Sequence, residues 1–289
     1  MQRPTRSLIM ANQRTPPLLA VGVLALMLAA LPAPARAADA SPWMTDLHSA
    51  FRLIAGSAKK DAAALRAGIE LKVAPGWHTY WRYPGDSGVP PRFDFSGSSN
   101  LASAQVRFPA PQLIVDETGN TLGYKGGIIF PVEVVPKDAG APLTLHLKIE
   151  YAVCEKQCVP VEATGEITLT RGNSTEDTAL AAAEARVPRP VSAATLALSV
   201  TRVNDAAKPL VAVDLKSPSG KPVQVFAEGP TPEWALPIPK PEPGAADGRQ
   251  RFTFELDGLP PGTSAKNPVD LTFTVVDGER AYEVKTRLD

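Results

Sequence analysis

Cys154 and Cys158 are the two cysteines of the chain, with three residues between them. A thiol pair this close can close a structural disulfide, supply half of a tetrahedral metal site, or cycle between dithiol and disulfide by exchange. As a staple it would constrain little: chain entropy gives so small a ring about 2 kcal/mol, against about 4.7 for a 100-residue loop. As a zinc or copper site it lacks partners. His48, His78 and His146 are the three histidines, and none stands at a ligand-like spacing from the cysteines. As a redox pair the short ring is useful, because exchange can open and close it repeatedly. Within the ring, Lys156 would favour a nearby thiolate and Glu155 would oppose it. From the residues alone the three readings stay open.

The flanking segments say how the pair is held. Residues 143–151 alternate apolar and polar, the period of a half-buried strand. Beyond the cysteines, Val159 to Ala163 lead through Gly165 into a second alternating run, 166–170. The pair therefore sits at a strand–turn–strand junction. Two further stretches could serve it. Trp77, Tyr80, Trp81 and Tyr83 crowd seven positions of a chain with four Trp and five Tyr. They read either as a core cluster packed under a loop or as an aromatic wall beside the thiols, where Tyr hydroxyls and an imidazole could hydrogen-bond a thiolate. His78 by itself reads as a packing or turn residue rather than a catalytic base. Residues 116–127 carry Gly119, Gly123, Gly126 and Gly127 and read as a hinged loop. Leu122 and Tyr124 within it are apolar residues that a free loop would leave in water. The expectation is a lid over the cysteines, its Leu122 or Tyr124 packed against the disulfide and Trp77 or Tyr80 with about 1.5–3 kcal/mol of burial.

Residues 1–37 have the form of a secretory signal peptide. Arg3, Arg6 and Arg14 precede an apolar run from Leu18 to Leu31, followed by prolines and Ala35-Arg36-Ala37. The run is shorter than the roughly 20 residues a spanning helix needs, and no other segment is apolar enough, so no transmembrane segment is expected in the mature chain. The destination is an oxidising compartment, where disulfides form. Thirty basic and thirty acidic residues cancel, which leaves no electrostatic case for nucleic acid or an anionic membrane. Thirty prolines and 21 glycines between short alternating runs predict an all-β chain of two sandwiches. The first is expected over residues 41–171 and the second over 191–289. Between them, residues 172–190 predict a linker with a short alanine-rich helix from Ala179 to Arg186, read as a solvated spacer. The second domain holds five alternating runs, a closing hairpin at Asp277-Gly278, and a proline-dense stretch, 230–243, that should lie extended along the sheet. Nothing in it carries chemistry, so it reads as a scaffold or docking module.

The order Gly-aromatic-His-Thr-Tyr, an Asp-Glu loop ending in Gly-Tyr-Lys-Gly, a strand with an internal proline, and Tyr-x-x-Cys-x-x-x-Cys-x-Pro resembles the N-terminal periplasmic domain of the thiol:disulfide interchange protein DsbD, in its ScsB-like variant. The similarity covers about Trp43 to Arg171, and the cysteine segment is its specific part. The resemblance implies an immunoglobulin-like sandwich in the periplasm, without cofactor or metal. In that family the cysteine pair takes electrons from a membrane-embedded partner and passes them to thioredoxin-like proteins. Carried over by position, Cys154 and Cys158 would be the exchanging pair, Tyr80 the aromatic beside them, and Leu122 to Tyr124 the shielding cap. The chain ends without the family's transmembrane and thioredoxin-like segments, so the electron donor is expected to be a separate membrane-embedded polypeptide. The alternative is a non-catalytic binding or assembly module with a structural disulfide.

Overall fold

The computed structural model describes residues 38–58, 63–116, 119–204, 206–243 and 247–289. The expected signal peptide lies outside them, as do Glu117 and Thr118 of the expected lid. In chain order the first half forms β1 (Met44–Thr45), β2 (Ser49–Gly56), β3 (Leu65–Val73), β4 (His78–Gly85), β5 (Arg92–Asp94), β6 (Leu101–Val106), β7 (Gln112–Asp116), β8 (Gly119–Lys125), β9 (Gly127–Pro136), β10 (Leu143–Cys154) and β11 (Cys158–Leu169). One sheet runs β1-β2-β3-β9-β6. The other runs β11-β10-β4-β8-β7, with β5 also paired to β10.

The alternation read from the sequence is what closes this sandwich. Along β10, Leu143, Leu145, Leu147, Ile149, Tyr151 and Val153 all face inward and are buried. They meet Phe51, Leu53, Ile69, Leu71 and Phe130 from the opposite sheet, each such side chain worth about 1.5–3 kcal/mol of burial. The outward residues of β10 stay partly exposed until Ala152 and Cys154, where burial begins on that face as well. That change marks where β4 joins the sheet, Val153 opposite Thr79 and Cys154 opposite His78.

The linker departs from the solvated spacer expected. Helix α1 (Asp177–Ala185) is docked on the first sandwich, with Leu180 and Ala183 buried. Arg66 pairs with Asp177 and Glu184, and Arg52 with Glu176. Arginines that would otherwise face water on β2 and β3 therefore fasten the helix to the sheet.

The second half adds β12 (Arg189–Pro190), β13 (Ser199–Arg202), β14 (Leu210–Leu215), β15 (Gln224–Glu228), β16 (Lys240–Glu242), β17 (Gln250–Glu255), β18 (Val269–Asp277) and β19 (Arg280–Leu288). They form sheets β12-β19-β18-β15 and β13-β14-β17-β16 around Val211, Val213, Phe252, Phe273 and Val275. Asp277 pairs with Arg280 across a tight turn, and Gly278 supplies its positive φ of 64°. The proline-dense stretch anchors Trp234 and Leu236 in this core and adds β16 at a sheet edge, where a missing N–H is tolerated.

The chain from Ala37 to Asp289 forms one compact unit, and β4 is where the sandwiches meet. Three consecutive residues of β4 engage the second half. Trp81 packs near Phe226, Tyr83 donates to the Leu236 carbonyl at 2.5 Å, and Arg82 binds Glu228 through two nitrogens and Glu283 through one. Burial by itself would lower the Arg82 pKa, but hydrogen bonding and attraction from the two carboxylates outweigh it and hold the guanidinium charged. Among the described residues no helix is long and apolar enough to cross a membrane.

Candidate functional site

The site is the tip of the β10–β11 hairpin. Its ladder runs in unbroken register from Leu143 opposite Leu169 to Cys154 opposite Cys158. Directly opposed residues share a face with Cβ atoms about 4.5–5.5 Å apart, close enough for sulfurs to bond, and a disulfide joins them. Glu155, Lys156 and Gln157 form the exposed turn between.

The two sulfurs have unequal surroundings. Cys154 is 3% exposed, clustered with Tyr80 and Ala152, whereas Cys158 is exposed. The Tyr80 hydroxyl donates to Cys154 Sγ at 2.7 Å and lies 3.2 Å from Cys158 Sγ. Three features set that tyrosine. Thr79 Oγ1 donates to the Ala152 carbonyl at 2.9 Å, tying β4 to β10. Gly123 lies opposite Tyr80 on β8, and a Cβ there would come within 2.1 Å of the Thr79 carbonyl oxygen. Gly88, at φ 135°, passes over the ring so closely that a Cβ would lie 2.2 Å from it. His78, also 3% exposed, stands edge-on to Tyr80 with ring centroids 5.4 Å apart.

The expected site residues thus divide. Cys154, Cys158, Tyr80 and His78 come together. Trp77 lies at the same end of the sandwich but stacks on His48, centroids 3.8 Å apart, and Lys156 is exposed at the middle of the turn. Leu122 and Tyr124 correct the expected lid. Their segment is strand β8, paired with β4 and β7, and both side chains turn inward, 1% and 2% exposed. Tyr124 donates to the Pro109 carbonyl and its ring meets Phe130; burial raises its pKa well above the usual phenol value. The physical reason is parity: Tyr124 is opposite Thr79, so it shares the core face, while Tyr80 and Cys154 share the other. What covers Tyr80 is the 86–91 connection after β4. Asp86 is held there by the backbone and side-chain N–H groups of Asn120.

Sequence reading also missed Gly88 and the exposed Val89 beside it, although a glycine-proline frame around one valine is a turn signal. Val89 and Pro90 wall a cavity of about 460 Å³ that opens beside Cys158 and is floored by Ala152 and Pro160. No group of three or more His, Cys, Asp or Glu residues among those described is placed to hold a metal.

A half-exposed disulfide at a hairpin tip, with a hydroxyl on its buried sulfur, can undergo thiol–disulfide exchange. Residues 46–170 match the family described as thiol:disulfide interchange protein DsbD, N-terminal. That match falls within the first sandwich, from just before β2 to just past the end of β11. The fold of the chain as a whole is similar to the crystal structure of the N-terminal periplasmic domain of ScsB from Proteus mirabilis. The TM-score is 0.68 at 19% identity, over 87% of this chain and 98% of that one. No curated protein matches the chain.

Proposed function

We propose that this protein works in the periplasm as a thiol–disulfide exchange protein, relaying reducing equivalents from a membrane-embedded donor to thioredoxin-like acceptors. The observation that carries the reading is the inequality of the two sulfurs. A structural bridge gains nothing from one exposed sulfur and a hydroxyl aimed at the other. An exchanging bridge uses both.

In the reducing half-reaction, a donor thiolate attacks the exposed Cys158 sulfur. The bond between the two sulfurs breaks, and its electron pair leaves with Cys154 as a thiolate, which the Tyr80 hydroxyl is placed to receive at 2.7 Å. The donor's second thiolate then takes its partner sulfur back from Cys158. Two electrons have passed, the donor is a disulfide, and the two thiol protons of the donor end on the protein. Onward transfer reverses the order: Cys158 attacks the acceptor's disulfide, and Cys154 resolves the mixed disulfide. Lys156 on the turn favours the thiolate form of the attacking sulfur.

Replacing Cys154 with Ala keeps the exposed sulfur and removes the resolving one. The variant should accumulate a mixed disulfide through Cys158 with a thioredoxin-like protein in an intact periplasm. If neither this variant nor Cys158→Ala traps any such protein, the relay is wrong and a binding module with a structural bridge replaces it.

A further inference from the structure

We propose that His78 is a positioning residue for exchange, which rests on the reading above: its imidazole braces Tyr80 and takes up the charge that keeps Cys154 a thiolate after the disulfide opens. Three observations place it. His78 is opposite Cys154 in the ladder between β4 and β10, so the two side chains leave the same face with Cβ atoms about 4.5–5.5 Å apart. Its ring meets that of Tyr80 edge-on, at an interplanar angle of 83°, and Tyr80 touches both sulfurs. It is buried with Tyr80 and Cys154, 3% exposed, where a charge on either His78 or Cys154 is felt strongly by the other.

The chemistry follows from what faces the imidazole. From β10 there is Cys154, uncharged in the disulfide and anionic after opening. From β8 there is Lys125, the ladder partner on the other side, which opposes a second positive charge. On its own strand there is Tyr80. At the hairpin turn, Glu155 reaches the backbone at Gly76; Trp77, next in sequence, is stacked on His48. In the oxidised protein Cys154 is tied in the disulfide and presents no charge to the ring. When the S–S bond breaks, a thiolate appears beside it, and an opposite charge within about 4–6 Å shifts a pKa by one to three units. Histidine is the side chain able to answer such a shift near neutral pH. Written in full, the donor dithiol and the disulfide give the donor disulfide, a Cys158 thiol, a Cys154 thiolate and a His78 imidazolium. Two electrons and two protons pass, and one proton rests on the ring instead of on Cys154.

The test isolates Cys154 in the full chain carrying Cys158→Ala, where thiolate absorbance near 240 nm is followed against pH. Adding His78→Gln should raise the Cys154 midpoint by at least one pH unit. In the two-cysteine protein the same substitution should lower the equilibrium constant for reduction by glutathione at least tenfold, about 30 mV for a two-electron couple. Melting temperature and far-ultraviolet dichroism monitor the fold, which a merely structural role would move instead. An unchanged Cys154 midpoint in a folded variant overturns the proposal. If His78→Gln does not fold, the His78 ring is titrated by NMR in the Cys158→Ala protein with and without Cys154→Ser. Its midpoint should fall by at least one unit when the thiol is removed, and equal midpoints overturn the proposal. A protein that trapped no thioredoxin-like partner, yet whose Cys154 titration still followed His78, would sink the relay and leave this inference standing.

Discussion

Tyr80→Phe removes one oxygen atom and leaves the ring on which Gly88 rests. Its consequence can be worked from the geometry. The hydroxyl lies 2.7 Å from a sulfur that is 3% exposed, so no water stands ready to replace it when that sulfur becomes a thiolate. A hydrogen bond to a charged group contributes about 1.5–3 kcal/mol. To the uncharged disulfide the same hydroxyl contributes much less, because divalent sulfur is a weak acceptor. The loss therefore falls on the reduced state. With 1.36 kcal/mol per pKa unit, the Cys154 thiol in a Cys158→Ala background should titrate about one to two units higher. For the two-cysteine protein, at a pH where Cys154 is ionised, the reduction potential should fall by about 30–60 mV, at 30 mV for each 1.4 kcal/mol. Equilibration with defined glutathione ratios, read by alkylation, gives the potential; thiolate absorbance gives the titration. Should both stay within error of the parent while the variant melts normally, Tyr80 is packing only and the assignment of Cys154 as the leaving sulfur loses its basis.

Two further outcomes follow from the structure. Leu122→Ala should destabilise the protein by about 2–5 kcal/mol, as a core truncation does, yet leave reduction of the disulfide by a small thiol unchanged in rate; accelerated reduction of a folded variant would restore the lid that the buried position of Leu122 rules out. At Asp177, burial disfavours the charged form, but hydrogen bonds from Ser57 and Ser174 and the Arg66 charge outweigh it, so the folded carboxyl titrates below its ordinary value. A depressed pKa contributes stability that is present above the unfolded value of about 3.9 and is lost as the pH falls through the folded one. Asp177→Asn should therefore cost about 1 kcal/mol at pH 7, a deficit in urea unfolding that closes below about pH 4. A deficit independent of pH would mean that the charge of Asp177 contributes nothing to holding the helix.

How much of this could be read from the residues depends on distance along the chain. Local alternation sufficed for β10 and the hairpin, where the cysteine spacing determined the turn. The aromatic stretch was legible as a cluster but not as a strand. Once it is placed on β4, parity separates His78 and Tyr80, which face the sulfurs, from Trp81 and Tyr83, which face the core and the second sandwich. The glycines of 119–127 misled for a physical reason. Glycine is depleted in strands, so a run of them reads as a loop, yet Gly123 is on a strand because the Thr79 carbonyl leaves no room for a Cβ. The docked linker was out of reach because its fastening residues, Arg52 and Arg66, lie more than a hundred positions away from the helix, and a lone Leu180 among alanines does not announce a buried face. The same holds for Arg82, whose partners Glu228 and Glu283 belong to the other sandwich.

The central claim is that the Cys154–Cys158 bridge is an exchanging couple, and its reduction potential measures this most directly. Equilibrated with glutathione at pH 7, the bridge should show a midpoint between about −120 and −270 mV, the span of thioredoxin-like catalysts, with exchange complete in minutes. A midpoint below about −300 mV, where structural disulfides lie, would contradict the account.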